Sequence, residues 1–131
     1  MSIIIAAGPV LVEGRAVLLN KHGDTSFWKF CGGRLEQFDQ SLKEGCRREV
    51  KEEMGIELEF LSDEPYLFYT KKDTAAGQFD IILVHYLARR IGEIVLGADI
   101  REWTWLPFDR LDDDELAPNI KPVLKHFGLL A

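Results

Sequence analysis

The stretch from Gly32 to Ile56, GGRLEQFDQSLKEGCRREVKEEMGI, constrains this chain more than any other. It joins a two-glycine turn to a helix whose acids face the wrong way for a surface helix. Ser41-Leu42-Lys43-Glu44 reads as a capping box that starts the helix. Gly55 can take the left-handed conformation that stops it, so the pattern predicts a helix over 41–54. At about 100° per residue from Leu42, Cys46, Val50 and Met54 form an apolar stripe. Glu53 and Glu49 fall within about 20° of Leu42 on either side, while Glu52 and Arg48 lie at the margin. Glu44, Arg47 and Lys51 carry the solvent side. An arbitrary charge run is ordinarily a solvated face. Here two of three clustered carboxylates point inward, where an uncompensated charge is costly. They require a cation, an arginine or a raised pKa, and a hard divalent metal suits such an oxygen-rich cluster.

Two local features sharpen the segment. Gly45 inside the helix costs about 1 kcal/mol relative to alanine, which implies close approach by another backbone. Gly32-Gly33 can turn tightly and expose N–H groups to an anion.

The remainder reads as strands with one further helix. Residues 2–12 and 15–21 are predicted strands, with Gly8-Pro9 as a bulge or sheet edge. A short strand is expected at 28–30, extended segments at 56–60 and 66–70, and a polar loop at 71–77. Residues 79–88 are apolar on both faces, the pattern of a central buried strand. Another strand is expected at 102–106, and Leu111 to Glu115 should open onto solvent. Asn119 can cap a last helix running to Phe127, with Pro122 tolerated in its first turn. Together these elements predict an α/β fold.

Bulk properties narrow the partners. The chain has 131 residues, formal net charge −6 and pI near 5.1. That length fits one domain spanning 1–131 with a sizeable core. The acidic balance argues against a nucleic-acid polymer or an anionic membrane as partner, and the longest apolar run, Ile81 to Val84, is far shorter than a membrane span. A small polyphosphate arriving with its metal remains compatible. Cys31 and Cys46 form no disulfide framework, and no leader of signal-peptide type is visible, so a cytoplasmic chain is expected. A homodimer through sheet edges is open to such a fold.

The helix segment resembles the signature of the Nudix hydrolase family, G-x5-E-x7-R-E-U-x-E-E-x-G-U, with U a bulky apolar residue. Arg48, Glu49, Val50, Glu52, Glu53, Gly55 and Ile56 match every fixed position of its second half. The first half departs: Gly33 to Arg48 is one residue longer, and Gln40 stands where the pattern has glutamate. Asp39 or Glu36 are the carboxylates able to replace it. Flanking segments agree: Phe27 to Glu36 is similar to the lead-in W-x-F-P-G-G-x-x-E, with Cys31 in place of proline. Glu102 to Leu111 resembles the late W-x-P-x-D-x-L strand, so the likeness covers almost the whole chain.

The resemblance implies an α/β/α sandwich with a mixed sheet. It also implies hydrolysis of a pyrophosphate bond in a small nucleoside diphosphate-linked substrate, dependent on Mg²⁺ or Mn²⁺. Glu49, Glu52 and Glu53 are the expected metal ligands, one of them serving as general base. Arg48 would pair with a neighbouring carboxylate and hold loop and helix in register. Glu102 is a further candidate ligand, set against an exposed strand-end acid, with Asp99 a weaker substitute. Gly32, Gly33 and Arg34 are candidate substrate contacts, joined by Lys71 and Lys72, although surface cations are usually just solvated. Phe27, Trp28, Tyr69 and Phe79 are candidates for base stacking but fit core packing better. The histidines lack zinc-ligand spacing, and His85 fits a satisfied buried residue. Substrate choice is assigned to loops 21–27, 71–78 and 92–100, with short length favouring a nucleoside triphosphate-like substrate. The alternative is a non-catalytic, nucleotide-binding regulatory protein.

Overall fold

The computed structural model describes residues 2–35 and 41–131. Strand β1 (Ser2–Glu13) turns through Gly14 into β2 (Ala16–His22), and the two pair antiparallel. A short β3 (Gly33–Arg34) precedes helix α1 (Leu42–Met54), which is followed by β4 (Glu57–Phe60), β5 (Tyr66–Thr74), β6 (Gly77–Ile91) and β7 (Ile100–Pro107). A 3-10 turn at Phe108–Arg110 leads to α2 (Ile120–His126). The sheet order is β4-β6-β1-β2-β7, with β3 added to β1 and β5 to β6. The β1–β6 pair is parallel and the other strand pairings are antiparallel, which makes the sheet mixed.

Period-two alternation builds two cores, one on each face. Leu11 and Leu18 pack with Cys46, Val50 and Met54 of α1. Their neighbours Val10, Val17 and Leu19 pack with Ile120, Val123 and Leu124 of α2. Each fully buried aliphatic side chain contributes roughly 2 kcal/mol, so the two faces together hold the helices to the sheet. Ser41 caps α1 by accepting the Glu44 N–H at 3.1 Å, and Gly55 ends the helix at φ 70°. The Glu44 carboxylate takes Arg47.

Several expectations need correction. Residues 71–77 are not a loop. They continue β5 and begin β6 in a long hairpin, with Lys71 opposite Asp80 and Thr74 opposite Gly77. The polar residues there belong to exposed strand, whose composition matches that of a loop. Residues 28–30 make only isolated bridges, Asn20 with Lys29 and Trp28 with Leu116. Gly8-Pro9 is no bulge, since both residues stay in register with His85 and Tyr86 of β6, but it is a local edge on its other side. Proline is tolerated because β1 changes partners around it, from β3 at Ala6–Ala7 to β2 at Val12–Glu13. The neighbour that crowds Gly45 is the Leu35 side chain, not a backbone. Asn119 precedes α2, but its side chain does not cap the helix.

Candidate active site

The two-glycine turn is wedged between β1 and α1. Gly32 has φ 133°, and a Cβ there would meet the Ala7 carbonyl oxygen at 2.3 Å. Gly8, opposite, leaves room for the Cys31 carbonyl. On the helix side a Cβ on Gly33 would lie 2.3 Å from Glu49 Oε2. The Gly32 N–H donates to Glu53 Oε1 at 2.7 Å. Glycines are thus required on three surfaces, because two backbones and two carboxylates converge there.

The helix acids divide as the wheel predicts. The Glu49 side chain is only 13% exposed and lies 3.1 Å from Arg48. Burial pushes Glu53 up to about 7 despite the Gly32 N–H and Lys29, which favour its charged form; Glu49 adds to the rise. Glu52 is exposed and paired with Arg48 at 3.4 Å. Arg48 therefore ties Glu49 to Glu52 along the helix. Among the described residues, no three His, Cys, Asp or Glu side chains converge as a metal cage. Glu102 sits on β7 and pairs with Lys21 at 3.7 Å and Arg101 at 3.9 Å. Glu36, Asp39 and Gln40 lie outside the described residues.

The loop following β6 holds the end of α1 in place. Val95 and Gly97 donate backbone N–H groups to the carbonyls of Met54 and Glu53, each at 2.8 Å. This part of the 92–100 segment completes the helix terminus.

Across the sheet from α1 a cavity of about 510 Å³ opens beside the glycine turn. Its walls come from Ile4, Ala6, Ile81 and Leu83, from Phe27 and Phe30, and from the 117–119 segment. Lys29, Gly32, Gly33, Arg34, Lys71 and Lys72 also line it. Sequence reading missed both the strand faces and the 117–119 segment. Trp28 hints at the latter, since it clamps the segment through hydrogen bonds to Glu115 and Ala117.

His85 and Asn119 form a buried pair at the cavity. His85 Nδ1 lies 3.1 Å from the Gly8 carbonyl oxygen, which can only accept, so Nδ1 carries the proton. Burial lowers the His85 pKa to about 4, leaving Nε2 bare to accept from Asn119 Nδ2 at 2.9 Å. The Asn119 amide is thereby fixed with its nitrogen toward His85. Cys31 and Cys46 are buried, unpaired thiols. Burial raises both pKa values, Cys46 to about 12, so neither is an activated nucleophile.

The family model described as NUDIX domain matches residues 3–127. The chain belongs to the Nudix family. Solved structures with the same Nudix fold include a MutT NUDIX hydrolase from Burkholderia pseudomallei, with a TM-score of 0.71 and 20% identity over 95% of this chain and 98% of that one. A NUDIX hydrolase from Nitrosomonas europaea gives 0.76 at 15% identity, covering 95% and 88%. An ADP-ribose pyrophosphatase from Streptococcus suis gives 0.66 at 21%, covering 93% and 87%. No curated protein sequence matches the chain. Nudix hydrolases are generally pyrophosphatases acting on nucleoside diphosphate-linked compounds with divalent metals, and this chain is similar to them across its length. Among the described residues no helix is long and apolar enough to cross a membrane.

Proposed function

We propose that this Nudix protein hydrolyses a pyrophosphate bond in a small nucleoside diphosphate-linked substrate, dependent on Mg²⁺ or Mn²⁺. The observation that carries the reading is the convergence of two inward carboxylates, Glu49 and Glu53, on the glycine turn that lines the cavity. A buried acid with its pKa raised by desolvation gains most from a cation. The donor set is all oxygen, which suits a hard metal. When bound, such a metal neutralises the pyrophosphate and acidifies a coordinated water.

The residues divide the remaining work. Glu49 and Glu53 would hold the cation, with Glu52 as the third ligand. The general base is one of these three. Arg48 keeps the acids in register. Gly32 and Gly33 let the chain pass close to the carboxylates, and Arg34, with Lys71 and Lys72, meets the phosphates. Glu102 would serve as an additional ligand only by leaving Lys21. Two reduced, buried thiols accord with a cytoplasmic location. The single-domain reading over 1–131 and a sheet-edge homodimer belong to the same proposal. Hydrolysis of a nucleotide panel with and without Mg²⁺ tests the whole. Metal-dependent turnover supports it, whereas nucleotide binding without turnover assigns the non-catalytic alternative.

The fold alone does not choose the substrate, since its neighbours include a MutT protein and an ADP-ribose pyrophosphatase. The cavity adds a constraint. With its nitrogen turned to His85, Asn119 offers its carbonyl oxygen to an N–H on a nucleobase edge. Asn119→Leu should therefore raise KM for the preferred nucleotide about tenfold, the worth of one hydrogen bond, with kcat little changed. Steady-state kinetics decide this.

A further inference from the structure

Asn20 is a polar residue where the fold calls for an apolar one. Strand β2 sends Val17 and Leu19 toward the α2 core and Leu18 toward the α1 core. Alternation therefore points Asn20 toward α1 as well. The residue is fully buried. Its backbone is fixed on both sides: it exchanges hydrogen bonds with Lys29 at 2.8 and 3.0 Å and pairs with Trp103 of β7. Its side chain lies near enough to the buried Glu53 carboxylate to favour that acid's charged form. Yet, among the described residues, neither its Nδ2 nor its Oδ1 has a hydrogen-bond partner. A buried amide in that condition destabilises a fold. Leu18 and Leu19 beside it are buried to the same degree, so an aliphatic side chain suits the layer.

We propose that Asn20 is a positioning residue for Glu53 and that its carboxamide, with that carboxylate, encloses a site for one water molecule. This rests on the metal-dependent reading above. Glu53 Oε1 is already taken by the Gly32 N–H. The water bridges the unpartnered Asn20 amide to the other oxygen, and it donates one proton to that oxygen. The water comes either from solvent or from the hydration shell of the divalent cation. Asn20 touches neither substrate nor metal; it acts through the carboxylate it orients. Its removal should affect kcat and metal affinity and leave substrate KM alone.

The test compares Asn20→Val with Asn20→Thr, two nearly isosteric replacements that differ by a methyl and a hydroxyl. Thermal melts without metal, Mn²⁺ affinity by electron paramagnetic resonance, and kcat and KM with Mg²⁺ are measured for each. Asn20→Val should melt at or above the wild-type temperature while Mn²⁺ affinity and kcat fall roughly 10- to 100-fold, the usual effect of losing a group that orients a ligand. Asn20→Thr should recover part of both. A Val variant that retains Mn²⁺ affinity and kcat within about twofold overturns the proposal. So does equal loss in both variants with a lowered melting temperature, the mark of a merely structural role. A fall in kcat with Mn²⁺ affinity kept also overturns the proposal, because a group that orients a metal ligand must show in metal affinity. Wild-type protein that binds Mn²⁺ but hydrolyses nothing counts against the proposed function alone, since Mn²⁺ affinity still reports on Asn20.

Discussion

Glu53→Gln is expected to abolish metal-dependent hydrolysis and to yield a metal-free protein more stable than wild type at pH 8. Glutamine keeps the shape and can still accept the Gly32 N–H, so the turn stays anchored. What it loses is the charge. Burial raises the Glu53 pKa from 4.5 to about 7. In the unfolded chain the group titrates near its ordinary value, so between these two values the native state binds the extra proton. The associated stability is fully present below the unfolded pKa and is lost as pH rises through about 7. The shift corresponds to about 3 kcal/mol, reduced by whatever solvent reaches this partly buried group. Urea titrations of metal-free wild type at pH 4 and pH 8 should show that loss, and Glu53→Gln should flatten it. Saturating Mn²⁺ should cancel it in wild type, because the cation binds the charged form. Activity in the variant should fall at least about a hundredfold. Unchanged turnover removes Glu53 from the mechanism.

Gly32→Ala is expected to have the largest effect on stability. The residue sits at φ 133°, outside the range side chains tolerate, and the added Cβ would be 2.3 Å from Ala7 O and 2.6 Å from Gly8 Cα. Both obstacles are backbone held in register with β6, so neither can yield cheaply. Positive-φ strain and the contact together should cost about 3 kcal/mol or more, which lowers the melting temperature by roughly 10 °C in a domain of this size. Protein that still folds must shift the Gly32 N–H away from Glu53 and should lose activity as well. Gly14→Ala is the control: it has φ 61° but nothing within 4 Å of an added Cβ. That change should cost only about 1 kcal/mol. Equal melting temperatures for the two variants would show that the close approach at Gly32 contributes nothing.

Much of this arrangement is legible in the residues. The capped helix announces itself because Ser41 and Gly55 act locally, and the wheel places Glu49 and Glu53 inward because helical periodicity does not depend on partners. The sandwich likewise follows from alternation in β2 and from the doubly apolar β6. What stays hidden is set by tertiary contact. Lys71 to Gly77 look like a loop until their pairing across the hairpin is known, since exposed strand and polar loop share a composition. Asn119 looks like a helix cap because nothing nearby in sequence reveals His85 across the sheet. Asn20 attracts no notice in a list of motifs; only its complete burial gives it meaning. The cavity is assembled from strand faces and the 117–119 segment, so reading loops alone misses its walls.

Calorimetric titration of Mn²⁺ into the metal-free protein at pH 8, repeated with Glu49→Gln and Glu53→Gln, probes the central claim most directly. Saturable uptake by wild type, accompanied by proton release and weakened in both variants, is the predicted result. No uptake by wild type, or uptake that both variants keep undiminished, would mean that these inward carboxylates do not hold a cation.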